Sequence, residues 1–108
     1  MIRSVRVLPR AKRQLYDAAL WWGDNRSVAE ASRWLERIET AFQSLSEDAE
    51  RFPLAFESAD FDFPLHQMNF GVSGHPTHRV LFSVHTDRVL VYAVRHLAQQ
   101  ELVPEDLQ

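Results

Sequence analysis

Arg95 and His96 leave the end of an apolar run, Val89-Leu90-Val91-Tyr92-Ala93-Val94. A strand that apolar is buried on both faces and lies inside a sheet. Its two basic residues therefore emerge at a sheet end. A guanidinium placed there can stabilise charge developing on a phosphate, and an imidazole can move a proton near neutral pH. His78 and Arg79 open the preceding segment, His78-Arg79-Val80-Leu81-Phe82-Ser83-Val84, and form a second pair of the same kind. If this sheet end carries catalysis, Arg79, Arg95 and His96 are its candidate set. The arginines would carry charge stabilisation and the histidine proton transfer. Each residue also has a plainer reading. Arg79 lies on the strand face opposite Val80, Phe82 and Val84, as a solvated arginine, as one ion-paired to the acidic loop, or as a group facing a partner or substrate. Arg95 and His96 point to opposite faces unless the strand bends. His96 can then cap the sheet end through a backbone hydrogen bond.

Other chemistries find less support. There is no cysteine, which excludes disulfides, thiolate metal sites and cysteine nucleophiles. His75-x-x-His78 has no carboxylate at helical or strand spacing to complete a metal site. No serine has a base at a recognisable motif spacing. With three glycines, Gly23, Gly71 and Gly74, there is no glycine-rich phosphate loop. No metal and no cofactor is expected.

A length of 108 residues predicts one domain over 1–108, with 97–108 as a C-terminal tail. The net charge of −3 is unevenly spread. Residues 1–46 carry eight Lys or Arg against five Asp or Glu, a balance of +3. Residues 47–64 set Arg51 against six acidic residues, a balance of −5. Residues 65–96 stand at +2 and residues 97–108 at −3. A protein whose affinity came from neutralising phosphates would be basic overall, so this balance disfavours tight non-specific binding of nucleic acid. The apolar runs are too short to span a bilayer. Met1-Ile2-Arg3-Ser4-Val5 lacks the long apolar stretch of a signal peptide, and the expected location is the cytoplasm.

The elements that must position these residues follow from periodicity. Residues 3–8 read as a strand with Val5 and Val7 on one face. Pro9 suits the first turn of a helix. Ala11, Leu15, Ala18, Ala19 and Trp22 form that helix's buried stripe, which ends near Gly23. Ser27-Val28-Ala29-Glu30 fits a reciprocal capping box. It opens a second helix with the stripe Ala31, Trp34 or Leu35, Ile38, Ala41 or Phe42, and Leu45. Trp21 lies beside the first stripe, where core packing is the favoured reading and a partly exposed interface anchor the alternative. Residues 47–64 read as an acidic loop pinned by Phe52, Phe56, Phe61 and Phe63, most of which should pack. Three alternating strands follow, over 66–72, 78–85 and 88–95, joined by tight turns as an antiparallel meander. Residues 98–102 suit a helical turn. The order β-α-α-β-β-β is an α+β fold: an N-terminal helical hairpin packed on a small, mostly antiparallel four-stranded sheet, with the first strand free to lie parallel to a central one.

In this arrangement the chain resembles the RelE/ParE superfamily of type II toxin–antitoxin systems, also described as plasmid stabilisation proteins. The likeness is carried by Val5-Arg6-Val7-Leu8-Pro9-Arg10-Ala11-Lys12-Arg13-Gln14-Leu15, similar to the family's strand and Pro-x-Ala-x-x-x-Leu helix start. It continues through Ala31–Ile38 with Phe42 and Leu45, then through His78–Val84. It ends on Val91-Tyr92-Ala93-Val94-Arg95-His96, similar to the final strand of the ParE-like branch. The resemblance implies a growth-inhibiting toxin held inactive by a cognate antitoxin, as a hetero-oligomer. ParE-like members act on DNA gyrase, and RelE-like members are endoribonucleases that cut mRNA on the ribosome. Arg79 matches the family's strand arginine. The RelE-like lysines fall at His66, Gln67 and Asn69, and the RelE-like C-terminal catalytic aromatic has no counterpart in 97–108. That departure favours the ParE-like branch. The alternatives are a divergent endoribonuclease using Arg79, Arg95 and His96, and an inactive toxin fold kept as a protein-binding module.

Overall fold

The computed structural model describes residues 2–72, 74–97 and 103–107. Strand β1 (Ser4–Val7) leads into α1 (Pro9–Asn25), and α2 (Val28–Asp48) returns beside it. Strands β2 (His66–Phe70), β3 (His78–Val84) and β4 (Arg88–His96) follow, with short 3-10 turns at Ala49–Arg51, Phe56–Asp60 and Pro104–Leu107. The helical turn expected over residues 98–102 lies outside the described residues.

The sheet order is β1-β4-β3-β2. β1 runs parallel to β4, with Val5 opposite Val89 and Val7 opposite Val91. The other two pairings are antiparallel. The mixed sheet and the α+β order are those the sequence predicts. Parallel pairing of the first and last strands needs a long crossover, which the helical hairpin and the meander provide together.

Each helix buries the stripe that its spacing predicts. Ala11 and Leu15 of α1 are buried, with Ala18, Ala19 and Trp22 half-buried against the same core. In α2 the two ambiguous positions resolve in favour of Trp34 and Phe42, which join Ile38 and Leu45 in the core. The Ser27 hydroxyl accepts from the Glu30 N–H at 3.0 Å. The Ser27 N–H donates to the Trp22 carbonyl at 3.1 Å, so the helix connection itself meets the need that the reciprocal half of a capping box would serve.

The acidic segment differs most from expectation. α2 runs on to Asp48, and the rest of the segment forms a second cover on the sheet. Phe61 and Phe63 pack with Ala55, Leu65, Leu81, Ala93 and Tyr92 on the face away from the helices. Phe52 packs edge-on to Phe82 at 6.0 Å. Phe56 alone of the four stays in solvent, 71% exposed. Two backbone hydrogen bonds, Ala55 N–H to Leu65 O (2.7 Å) and Gln67 N–H to Pro53 O (2.9 Å), fasten the segment along part of β2. As a result β3 is buried on both faces from His78 to Ser83.

Strand β2 stops at Phe70, two residues before the alternation ends, because the chain closes a tight connection there. The Thr77 N–H donates to Phe70 O at 2.9 Å. A Cβ on Gly71 would sit 2.0 Å from the His75 carbonyl oxygen. Gly74 has φ +80°, yet a Cβ there would meet nothing. Gly71→Ala is expected to cost about 2–4 kcal/mol, because backbone must move. Gly74→Ala should cost only about 1 kcal/mol of left-handed strain. Urea unfolding of the two variants, compared at equal m-value, measures the difference.

Candidate functional site

The geometry at the end of β3 and β4 is set by one irregularity. The β3–β4 register runs His78↔His96, Arg79↔Arg95, Val80↔Val94 and Leu81↔Ala93, then slips so that Phe82 faces Val91. Tyr92 is the extra residue of a β-bulge. Below it, Val89 and Val91 face the helices; above it, Val94 does. Tyr92 and Ala93 both lie on the other face. The bulge is pinned by its side chain, since the Ser83 hydroxyl lies 3.1 Å from the Tyr92 hydroxyl and 2.8 Å from His85 Nε2. The serine–histidine contact is local, between residues two apart on one face of the strand, whereas the contact with Tyr92 crosses from β3 to β4. Ser83 is buried, so the contact is a structural tie with no route to a substrate.

The bulge sends the two terminal residues of β4 to opposite faces in a particular sense. An unbroken strand would turn Arg95 toward the helices with Val89 and Val91. The bulge puts His96 there instead and Arg95 outside. The three residues predicted as a catalytic set therefore do not share a face: Arg79 and Arg95 are cross-strand neighbours on the outer face, and His96 stands on the inner one beside His78.

On the outer face, Arg79 is held by Glu57. Arg79 Nη1 donates to Glu57 Oε1 at 2.6 Å and Nη2 to Oε2 at 2.5 Å, while Nη1 also donates to Gln67 Oε1 at 3.1 Å. Arg79 is 7% exposed and Glu57 0%. The ion pair with the acidic loop is thus the form Arg79 takes. Glu57 was not singled out by sequence, because it is one of six acids in a segment without a period. Its only local signal is a position between Ala55 and Ser58, the residues that bind Leu65.

On the inner face, His78 lies edge-on to His96 (5.2 Å) and to Trp34 (5.3 Å), with Thr77 Oγ1 2.8 Å from its Nδ1. Burial, and second the charge of His96, lower the His78 pKa to about 4, so the ring is neutral at pH 7. A cleft of about 590 Å³ opens here between the sheet end and α1, which supplies Asp17, Ala18 and Trp21. Gln14 closes the strand edge beside it by accepting from the Val94 N–H at 2.8 Å. Gln14, Ala18 and Trp21 recur at four- and three-residue spacing, so a helical stripe toward this cleft was present in the sequence beside the core stripe. Among the described residues, no group of three or more His, Asp or Glu comes together to hold a metal, and no helix is long and apolar enough to cross a membrane.

Residues 5–101 match the family model for the ParE toxin of type II toxin–antitoxin systems, parDE. The chain belongs to the ParE toxin family. The same fold is found in the chromosomal ParDE TA system from P. aeruginosa, with a TM-score of 0.67 at 10% identity, over 88% of this chain and 96% of that one. No curated protein sequence matches. This ParE-family chain is thus a type II toxin component, in agreement with the resemblance read from its strands and helices.

Two measurements test the site's energetics. Glu57→Ala leaves a buried guanidinium without its carboxylate and should cost about 3–5 kcal/mol, whereas Glu57→Leu combined with Arg79→Met should return to within about 2 kcal/mol of the parent. Equilibrium urea unfolding of the single and double variants decides this. His78 gives a pH dependence of definite sign. The folded state takes up its proton near pH 4 and the unfolded chain near 6.5, so between those values the unfolded chain binds more protons. Stability from this group is therefore full above about pH 6.5 and falls as pH drops toward 4, by about 3 kcal/mol in all. A His78 imidazole that titrates near 6.5 by NMR in the folded protein would contradict it.

Proposed function

We propose that this toxin arrests growth by binding a host protein, DNA gyrase being the expected one, and that a cognate antitoxin neutralises it. The family match over residues 5–101 carries the reading. A contact mechanism is further supported by the engagement of Arg79. Stabilising a phosphate requires a guanidinium able to turn toward it, and this one already directs both Nη1 and Nη2 to a buried carboxylate. The endoribonuclease alternative would draw on Arg95 and His96, which the bulge places on opposite faces. The ParDE system supplies the analogy for an antitoxin partner.

Induced expression with and without the protein encoded in the adjacent reading frame tests the proposal. Expression alone should stop growth, and co-expression should restore it. The purified toxin should inhibit supercoiling by gyrase while leaving cell-free translation intact. Absence of arrest removes the toxin activity. Cleavage of mRNA only in the presence of ribosomes, lost in Arg79→Ala and Arg95→Ala, would replace gyrase binding with nuclease action.

A further inference from the structure

Phe56 is 71% exposed and Leu54 56%, although the other three phenylalanines of the acidic segment pack against the sheet. The two residues flank Ala55, which is buried and extended, its N–H donating to Leu65 O at 2.7 Å. Alternate side chains of extended backbone point the same way, so Leu54 and Phe56 leave the sheet together. Scattered apolar residues need no explanation, but these two form one patch, and exposed Pro53 adjoins it in the chain.

The patch stands on a fixed base. Leu54 bridges to His66 of β2. Phe56 precedes Glu57, whose carboxylate grips Arg79, and the Ser58 hydroxyl accepts from the Leu65 N–H at 2.9 Å. The Ser58 N–H returns to Ala55 O at 2.9 Å. An aromatic side chain presented by backbone held in this way has little freedom left to lose on binding. Phenylalanine is among the residues enriched where protein surfaces meet.

Charge narrows what can cover the patch. Asp60 and Asp62 are exposed just beyond Phe56. Glu57 is paired with Arg79, and Arg51, the segment's one basic residue, lies 3.7 Å from Asp48. The rim is therefore negative, and it repels nucleic acid. A second copy of the chain would set Asp60 and Asp62 against their own kind across a two-fold axis. Residues 97–108, with three acidic residues and no basic one, are repelled for the same reason. What fits is a protein surface with an apolar recess and a basic rim. An enzyme that works on DNA carries lysines and arginines to neutralise phosphates, and the expected host target is of that kind.

We propose that Leu54 and Phe56 are the toxin's contact with its host target, entering an apolar recess whose basic rim pairs with Asp60 and Asp62. This rests on the gyrase reading above. Binding of the full-length toxin to purified gyrase is measured by titration calorimetry, beside inhibition of supercoiling. Phe56→Ser should weaken both roughly 30-fold or more. Asp60→Asn with Asp62→Asn should weaken binding about 5-fold at low salt and flatten its salt dependence. Val28→Ser, at an exposed apolar position on α2, should act as the parent does. All the changed positions are exposed, and circular dichroism confirms that each variant is folded. Phe56→Ser should still form the complex with the protein of the adjacent reading frame. Failure of the parent toxin to bind gyrase would remove the gyrase reading itself and this contact with it. Parent binding that survives Phe56→Ser would overturn the contact alone. Loss of the complex with the adjacent-frame protein in Phe56→Ser would also overturn it, giving the patch to that partner.

Discussion

Arg79 occupies a position where a guanidinium cannot be left alone. It lies on a strand buried from both sides, directly across from Arg95, on a face that holds Leu81, Leu65 and Ala93. Like charges opposite one another on a sheet face destabilise the pair, and an unpaired buried cation costs several kcal/mol. Glu57 meets both demands with a two-pronged contact that fixes its own direction as well as that of the arginine. Much else depends on that contact. It draws the 3-10 turn Phe56–Asp60 onto the sheet, where Ser58 binds the Leu65 N–H at 2.9 Å and Phe61 and Phe63 complete the cover. Without the cover, β3 would have one wet face, and its run of inward and outward apolar residues would make no sense. The pair adds specificity more than net stability, since an apolar pair of similar volume can be as stable.

The inner face is organised by the opposite device, an opening. The bulge at Tyr92 costs a ladder position and increases local twist, but it turns His96 inward beside His78, at the mouth of the cleft between the sheet end and α1. Trp34 fills the space deeper in, packing edge-on to Phe70 (5.9 Å) as well as to His78. Trp21 and Trp22 stay nearer the mouth. The three tryptophans thus grade from buried to exposed along the helical layer. The gradient follows from helix geometry, because Trp21 and Trp22 are adjacent and cannot both face the core, whereas Trp34 stands on the α2 stripe.

The helical layer and the sheet were legible because their information is local and periodic. Ala11, Leu15, Trp34, Ile38 and Leu45 repeat at 3.6, and Val80 and Phe82 alternate at 2, so their burial could be read directly. The parallel pairing of β1 with β4 was reachable from the length of the crossover. The reciprocal capping box was half right, because the competing acceptor for the Ser27 N–H, the Trp22 carbonyl, lies in the preceding helix. The 47–64 segment was read only as a pinned loop, for contacts such as Glu57 with Arg79 and Phe52 with Phe82 join residues far apart in sequence and carry no period. The site was less legible still. A bulge leaves almost no mark in a run such as Val91-Tyr92-Ala93-Val94, yet it reverses the face of every residue beyond it. Arg79, Arg95 and His96 were read at one end of the sheet, with Arg95 and His96 on opposite faces, but which of those two faces the helices depends on the bulge.

That separation has a consequence for how such a small fold acts. Chemistry on a phosphate wants charge and proton transfer converging on one point about 3 Å away. Here the charges and the imidazoles are divided by the thickness of a sheet, and one guanidinium is already neutralised. Recognition makes a different demand, needing aromatic surface, a recess and flanking charge on the same side. Trp21 and the α1–β4 cleft, with Asp17 and Arg26 in its lining, meet it on the helical side. On the outer side the acidic segment seals the sheet and itself presents Leu54 and Phe56. The ion pair that stabilises that cover thus leaves two surfaces for partners, the helical side with its cleft and the cover itself.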